Sequence, residues 1–233
     1  MNEADYNKLL EIAKKDKNLI GLVLGGSRGK HAETEHSDYD VYLIVKDKSL
    51  DSYKNTFGIE AFTLDELKNK TPMWDRYNFT YLQPVIDNSK GELQEVINFL
   101  GRLSEVEQKQ AIAENLDTYI NYFYRSFKNS RDGREFASKL DAAESLASML
   151  TVVFALEGQI RPYNKYFEWE LQKHPFTKLS MDGEEFIKLL QKIVNSGDID
   201  AQKKIYFIIE PIAREQGYGN IYDAWDNDLE IFN

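Results

Sequence analysis

The chain has 233 residues, 42% of them hydrophobic and 13% aromatic, enough to bury a core in one large or two small domains. Its formal net charge of −10 argues against tight binding to a nucleic-acid backbone, and the absence of cysteine excludes disulfides and thiolate metal sites. No apolar run approaches the roughly 20 residues of a membrane helix, residues 1–20 are charged with no signal-peptide core, and the cytoplasm is the simplest compartment.

Taken in order, Glu3 to Lys17 sets Leu9, Leu10 and Ala13 among charges, as an exposed helix would. Leu19–Leu24 is a first strand. The turn Gly25-Gly26-Ser27-Arg28-Gly29 follows, then a polar loop, then Ser37-Asp38-Tyr39-Asp40 opening a second apolar strand, Val41–Val45. Asp38 and Asp40 are two apart, so on an extended chain they share a face. Carboxylates at that spacing repel unless a cation sits between them, and such oxygen ligands suit Mg²⁺ held jointly with substrate phosphates. Glycines upstream let the backbone approach a phosphate, and successive N–H groups form an anion-binding nest.

Phe57 to Phe62 reads as a third strand, with Thr63-x-x-Glu66 as a capping box opening a short helix. Asn78 to Asp87 reads as a further strand that Pro84 consigns to an edge or a bulge. Ser89-x-x-Glu92 is a second capping box, and Leu93, Val96, Ile97 and Leu100 form one helical stripe behind it. Ser104-x-x-Glu107 is a third capping box, and from there the pattern is wholly helical. Ile112, Leu116, Tyr119, Phe123 and Phe127 line one long helix. Phe136, Leu140, Ala143, Ala147, Leu150 and Phe154 line the next, which ends at Gly158. Its polar stripe, Asp141, Glu144, Ser145 and Ser148, is expected to face water or a cleft. A basic, aromatic loop, Arg161 to Tyr166, leads to helices over Gly183–Asn195 and Ile199–Glu210, the second broken or kinked at Pro211.

The expected fold class is α+β: a mixed-sheet domain over residues 1–100, then a helical bundle over 101–233 that packs against it around one cleft. Charge is uneven. Residues 1–103 carry 17 acidic and 14 basic side chains, net −3, and residues 104–233 carry 22 and 15, net −7. The second half would attract a cationic small molecule. His31, His36 and His174 are too few and too scattered for a zinc cage.

Competing phosphate and metal motifs fail. A P-loop would need glycine where Leu24 stands and Ser or Thr where His31 stands. No Gly-x-Gly-x-x-Gly occurs in the turn, and Val41–Val45 offers an EF-hand loop neither a third ligand nor a glycine. What remains is Gly26-Ser27, ten residues from Arg28 to Ser37, then Asp38-Tyr39-Asp40. This pattern between two strands resembles the signature of nucleotidyltransferases of the DNA polymerase beta-like superfamily. The layout with a helical second half is similar to aminoglycoside and lincosamide nucleotidyltransferases.

The resemblance implies transfer of a nucleoside monophosphate from ATP to a hydroxyl of a small, cationic acceptor of that antibiotic type, with release of pyrophosphate. It implies two Mg²⁺ ions bridged by Asp38 and Asp40. Gly26, Ser27 and Arg28 would hold the triphosphate. A third carboxylate from a later strand is also implied, as a metal ligand or general base. Glu60 is preferred, as an acid inside an apolar strand, and Asp87 is the rival. Lys165 resembles the lysine such enzymes aim at the triphosphate. Glu144 or Asp141 would contact the acceptor or serve as base. Two further readings stay open: modification of a protein partner, as small antitoxin relatives do, and nucleotide binding without catalysis.

Overall fold

A computed structural model describes residues 1–232. The chain is α+β and mostly helical, and it divides into two compact units, Met1–Arg102 and the residues from Leu103 on. No helix among the described residues is long and apolar enough to cross a membrane.

In the first unit, helix α1 (Glu3–Ala13) starts at Asn2, whose side chain accepts from the Asp5 N–H. Strands β1 (Leu19–Leu24) and β2 (Val41–Val45) lie as the sequence predicts and pair antiparallel. Between them, Gly26–Gly29 forms one short helical turn, α2. Strand β3 (Pro84–Asp87) adds to the other side of β1, also antiparallel, giving the order β2-β1-β3. Pro84 opens this edge strand, and the β1–β3 register shifts between Leu22 and Val23.

The sheet is covered on both faces, and its side chains alternate between two cores. Leu22, Leu43 and Val45 pack with Tyr6, Leu9 and Ala13 of α1 and with Tyr53 and Ala61. Val23 and Ile44 pack with Leu67, Phe79, Leu82, Leu93, Ile97 and Leu100. Those last residues come partly from α4 (Leu64–Lys70) and α5 (Glu92–Leu100).

Several expectations are corrected in this unit. Phe57 to Phe62 is not a strand. Tyr53–Phe57 is a helical turn, α3, closed by Gly58 at φ +70°, and the Tyr53 hydroxyl anchors it on Asp16 at 2.8 Å. Only Phe62 reaches the sheet, giving its N–H to the Leu43 carbonyl and accepting from the Val45 N–H, each at 2.8 Å. That single bridge to Ile44 is the sheet's parallel element, so the expected mixed sheet is otherwise antiparallel. Residues 78 and 79 belong to a 3₁₀ segment, Met73–Phe79, rather than to β3. Within that segment the buried Arg76 donates to the carbonyls of Phe99, Leu100 and Arg102, where the end of α5 leaves acceptors bare. Ser89 is not a capping-box residue, since α5 starts after Gly91 at φ +102°, though Ser89 Oγ still accepts the Leu93 N–H at 2.8 Å. The boxes at Thr63/Glu66 and Ser104/Glu107 do form.

The second unit is helical. Helix α6 (Glu105–Arg131) and helix α7 (Glu135–Leu156) are joined by three residues, so they run as antiparallel neighbours. Helices α8 (Phe167–Lys173), α9 (Gly183–Ser196), α10 (Ile199–Ala213) and α11 (Gly219–Asp223) complete the core. Phe232 seals it, stacked on Phe123 at 4.2 Å. Pro211 does not end α10, which runs on to Ala213. The backbone departs from regular geometry later, over Arg214–Tyr218, where Gly217 takes φ +94°.

A further correction concerns the first half of α7. Phe136 is 76% exposed and Leu140 49%, whereas Asp141 and Ser145 are buried. At this end of the pair the seam between α6 and α7 is polar. Ser126 and Ser138 exchange hydroxyl-to-carbonyl bonds at 3.0 and 2.8 Å, and Asp141 accepts from Arg125 at 3.1 Å and Asn129 at 2.8 Å. Small, fully bonded side chains permit close helix approach, and a stripe of larger apolar residues is left outside.

Candidate active site

The β1–β2 ladder sets Leu24 opposite Val41. One step further, the Gly25 N–H donates to the Asp40 carbonyl at 2.7 Å. The glycine turn that leaves β1 and the acid that enters β2 are therefore direct neighbours at one end of the sheet. Gly26 takes φ +58°, and a methyl group built on it would lie 1.9 Å from Asp40 Oδ2. The Asp40 carboxylate thus occupies the space that any other residue at position 26 would need for its Cβ. Gly29 is constrained too, since a methyl there would meet the Leu24 carbonyl oxygen at 2.1 Å. The Gly29 N–H closes the first helical bond onto Gly25 at 2.9 Å. The amides of Gly26, Ser27 and Arg28 precede that bond and are donors the short helix itself does not use.

The 30–40 loop is tied back onto this turn. Ser27 Oγ donates to Ser37 Oγ at 2.9 Å, and the Ala32 N–H bonds the Ser27 carbonyl at 2.9 Å. Arg28 forks onto the Ser37 carbonyl through Nε at 3.2 Å and Nη2 at 2.9 Å, with its guanidinium carbon 4.1 Å from the Tyr39 ring centre. Tyr39 in turn stacks on Tyr6 at 4.4 Å. Burial, and then the adjacent Tyr39, push the Tyr6 phenol above its ordinary pKa. Arg28 thus has a positioning role that sequence reasoning missed, and so do Ser37 and Tyr39, although both sit inside the motif.

The expected site residues are brought together unevenly. Gly26, Ser27, Arg28 and Asp40 form one constellation. Asp38, one residue beyond Tyr39, has a side chain 70% exposed, with Oδ2 4.0 Å from the Met1 backbone nitrogen. Glu60 is exposed and pairs with Lys48 at 3.6 Å, and Lys48 also meets Glu66 at 3.3 Å. Asp87 is paired with Gly21 in the ladder, three residues along β1 from Leu24, and accepts from the Ser89 N–H at 2.8 Å, a turn-closing role. Lys165 belongs to the second unit, in a 3₁₀ turn, with its ammonium 4.7 Å from the Tyr166 ring centre. In that unit Asp141 is committed to Arg125 and Asn129, while Glu144 is exposed and accepts from Tyr122.

The donor set suits one kind of metal. Two carboxylates at the mouth of β2, one of them over a glycine turn with spare amides, match hard, oxygen-loving Mg²⁺ shared with phosphates. A closed protein cage is not formed, because among the described residues no three Asp, Glu or His side chains are grouped to hold a metal ion.

No protein-family model matches the chain, and no curated protein does. Among solved structures, the crystal structure of a nucleotidyltransferase-like protein from Exiguobacterium sibiricum 255-15 aligns over 99% of this chain and 77% of that one, at 12% identity and a TM-score of 0.40. Neither family nor activity follows from a likeness so remote.

Proposed function

We propose that the chain transfers a nucleoside monophosphate from a nucleoside triphosphate, by default ATP, to a hydroxyl group of a small molecule. The observation that carries this reading is the interlock of Gly26 and Asp40. A carboxylate pressed onto a glycine turn repels any phosphate there unless a cation lies between them, so the pair makes sense as a site for a metal-bound phosphate chain. Asp38 and Asp40 would hold Mg²⁺, which when bound would neutralise charge on the phosphate oxygens.

The chain's own residues bind and orient. The amides of Gly26 and Ser27 would take the terminal phosphates, the Ser27 hydroxyl would turn to them from Ser37, and Arg28 holds the 30–40 loop against the turn. The acceptor oxygen forms a bond to the α-phosphorus. The bond from that phosphorus to the α–β bridging oxygen breaks, and pyrophosphate leaves. The acceptor's proton passes to a carboxylate acting as base. Glu60 is the proposed third acid, and it must leave Lys48 to serve. An acceptor of aminoglycoside or lincosamide type fits the acidity of the second half.

The test is pyrophosphate release from ATP and Mg²⁺ with a panel of such acceptors and of neutral polyols. Release that needs Mg²⁺ and one acceptor class, and that disappears in Asp40→Asn, is the expected result. Equal release by the wild type and Asp40→Asn would overturn the reading.

A further inference from the structure

Directly after the glycine turn comes Lys30, and it is 5% exposed. Its ammonium donates to the Thr80 carbonyl at 2.7 Å and to Thr80 Oγ1 at 2.6 Å, and lies 4.6 Å from the Tyr77 ring centre. A buried ammonium is tolerated only with partners of this kind. Thr80 is therefore pinned to the turn. Two residues on, Leu82 is buried and packs against the turn too, its Cδ2 3.0 Å from where a methyl on Gly29 would be.

Tyr81 lies between these two fixed points. Its backbone takes φ +62°, a left-handed conformation rare for a bulky L-residue. Its ring is half exposed, with its centre 5.8 Å from the Lys30 ammonium. Strain of this kind persists only where the surroundings impose it, and here the Lys30–Thr80 clamp and the packing of Leu82 on Gly29 fix the residues on either side of Tyr81. The consequence is a large flat π-surface held at the edge of the turn instead of inside the core.

We propose that Tyr81 is the stacking platform for the nucleobase of the bound triphosphate. The inference rests on the proposed function, and it adds a subsite and a selectivity to it. Stacking on a tyrosine face reads ring area and no particular hydrogen-bond pattern. Purine triphosphates therefore bind alike and tighter than pyrimidine triphosphates. The Lys30–Thr80 clamp ties the orientation of the platform to the turn that holds the phosphates.

The experiment is calorimetric titration of the full chain, with Mg²⁺, by ATP, GTP, CTP and inorganic tripolyphosphate. It compares wild type with Tyr81→Phe, Tyr81→Ala and Tyr81→Gly. Glycine accepts φ +62° without strain, so it removes the ring while keeping the backbone. Expected for Tyr81→Gly and Tyr81→Ala is a loss of ATP and GTP affinity of roughly tenfold or more, the order that base stacking contributes. Tripolyphosphate affinity should stay within twofold, and Tyr81→Phe should match wild type. Equal losses for ATP and tripolyphosphate, or no loss for either, would overturn the platform while leaving the phosphate site standing. Wild-type protein that binds neither ATP nor tripolyphosphate would overturn the proposed function, and the platform with it.

Discussion

Gly26 and Asp40 are fourteen positions apart in the sequence and in contact in the fold, and that contact is the sharpest point at which to test the site. Gly26→Ala must push the carboxylate aside and adopt a left-handed backbone, which costs an L-residue roughly 1–2 kcal/mol. The expected outcome is a Tm lowered by several degrees and Mg²⁺-dependent ATP affinity lowered at least tenfold, read by thermal melting and calorimetry. Retention of both would show that the interlock has no role. That the glycine turn leaves β1 just where Asp40 enters β2 was legible in the sequence, because glycine and acidic residues flanking apolar runs mark strand ends. Lys30 was not, since its partner Thr80 is fifty residues away and a lone lysine carries no sign of burial. The hold of Arg28 on the 30–40 loop was not legible for a related reason. Its type suggests phosphate, but its fork is engaged with the Ser37 carbonyl. Lys30→Met tests this latch by leaving the two Thr80 acceptors without their donor. A loss of about 1–3 kcal/mol in denaturant unfolding is expected, and an unchanged unfolding midpoint would contradict it.

Among the elements, α4 offers a pH test. Glu66 closes its capping box and meets Lys70 and Lys48. Lys70, then the Thr63 backbone N–H, hold its carboxyl down from the ordinary 4.5 to about 2. A carboxyl whose folded pKa is depressed contributes stability above its unfolded pKa, and that contribution fades as pH falls from about 4.5 to about 2. Glu66→Gln should therefore lower Tm at pH 7, with the gap to wild type closing across that window. A gap that is constant with pH would contradict the assignment. Helix α7 gives the contrast between pattern and packing. Phe136 looks like core in the sequence but is solvent-facing, so Phe136→Ser should change stability by no more than about 0.5 kcal/mol. Phe123→Ala, at the stacked centre of the bundle, should cost about 3–5 kcal/mol in the same assay. Reversal of that order would mean that the exposed stripe is covered in solution. Periodicity failed at α7 because it assumes apolar side chains fill a helix seam, and this seam is filled by bonded serines and Asp141. It failed at Phe57–Phe62 because a helical turn ended by Gly58 uses the same apolar residues that a strand would.

For the whole molecule, the α+β class was readable from strand-like patterns giving way to helical ones. So were β1, β2 and most helices of the second unit. Less was legible in the 53–83 stretch, where short helical and 3₁₀ turns replace expected strands and local signals are too brief to decide between them. The charge of −10 has a consequence of its own. If the acceptor is a cation, kcat/KM for it should fall as salt is raised from low to physiological ionic strength, and that of a neutral acceptor should not. Equal salt dependence for both would remove charge from the choice of acceptor.

The most direct measurement is a calorimetric titration of ATP into the full chain with and without Mg²⁺, repeated on Asp38→Asn and Asp40→Asn. Expected is ATP binding that requires Mg²⁺ and weakens at least tenfold in each variant. No association with ATP, or binding indifferent to Mg²⁺ and to both substitutions, would contradict the assignment of this glycine turn and its two acids to a nucleotide.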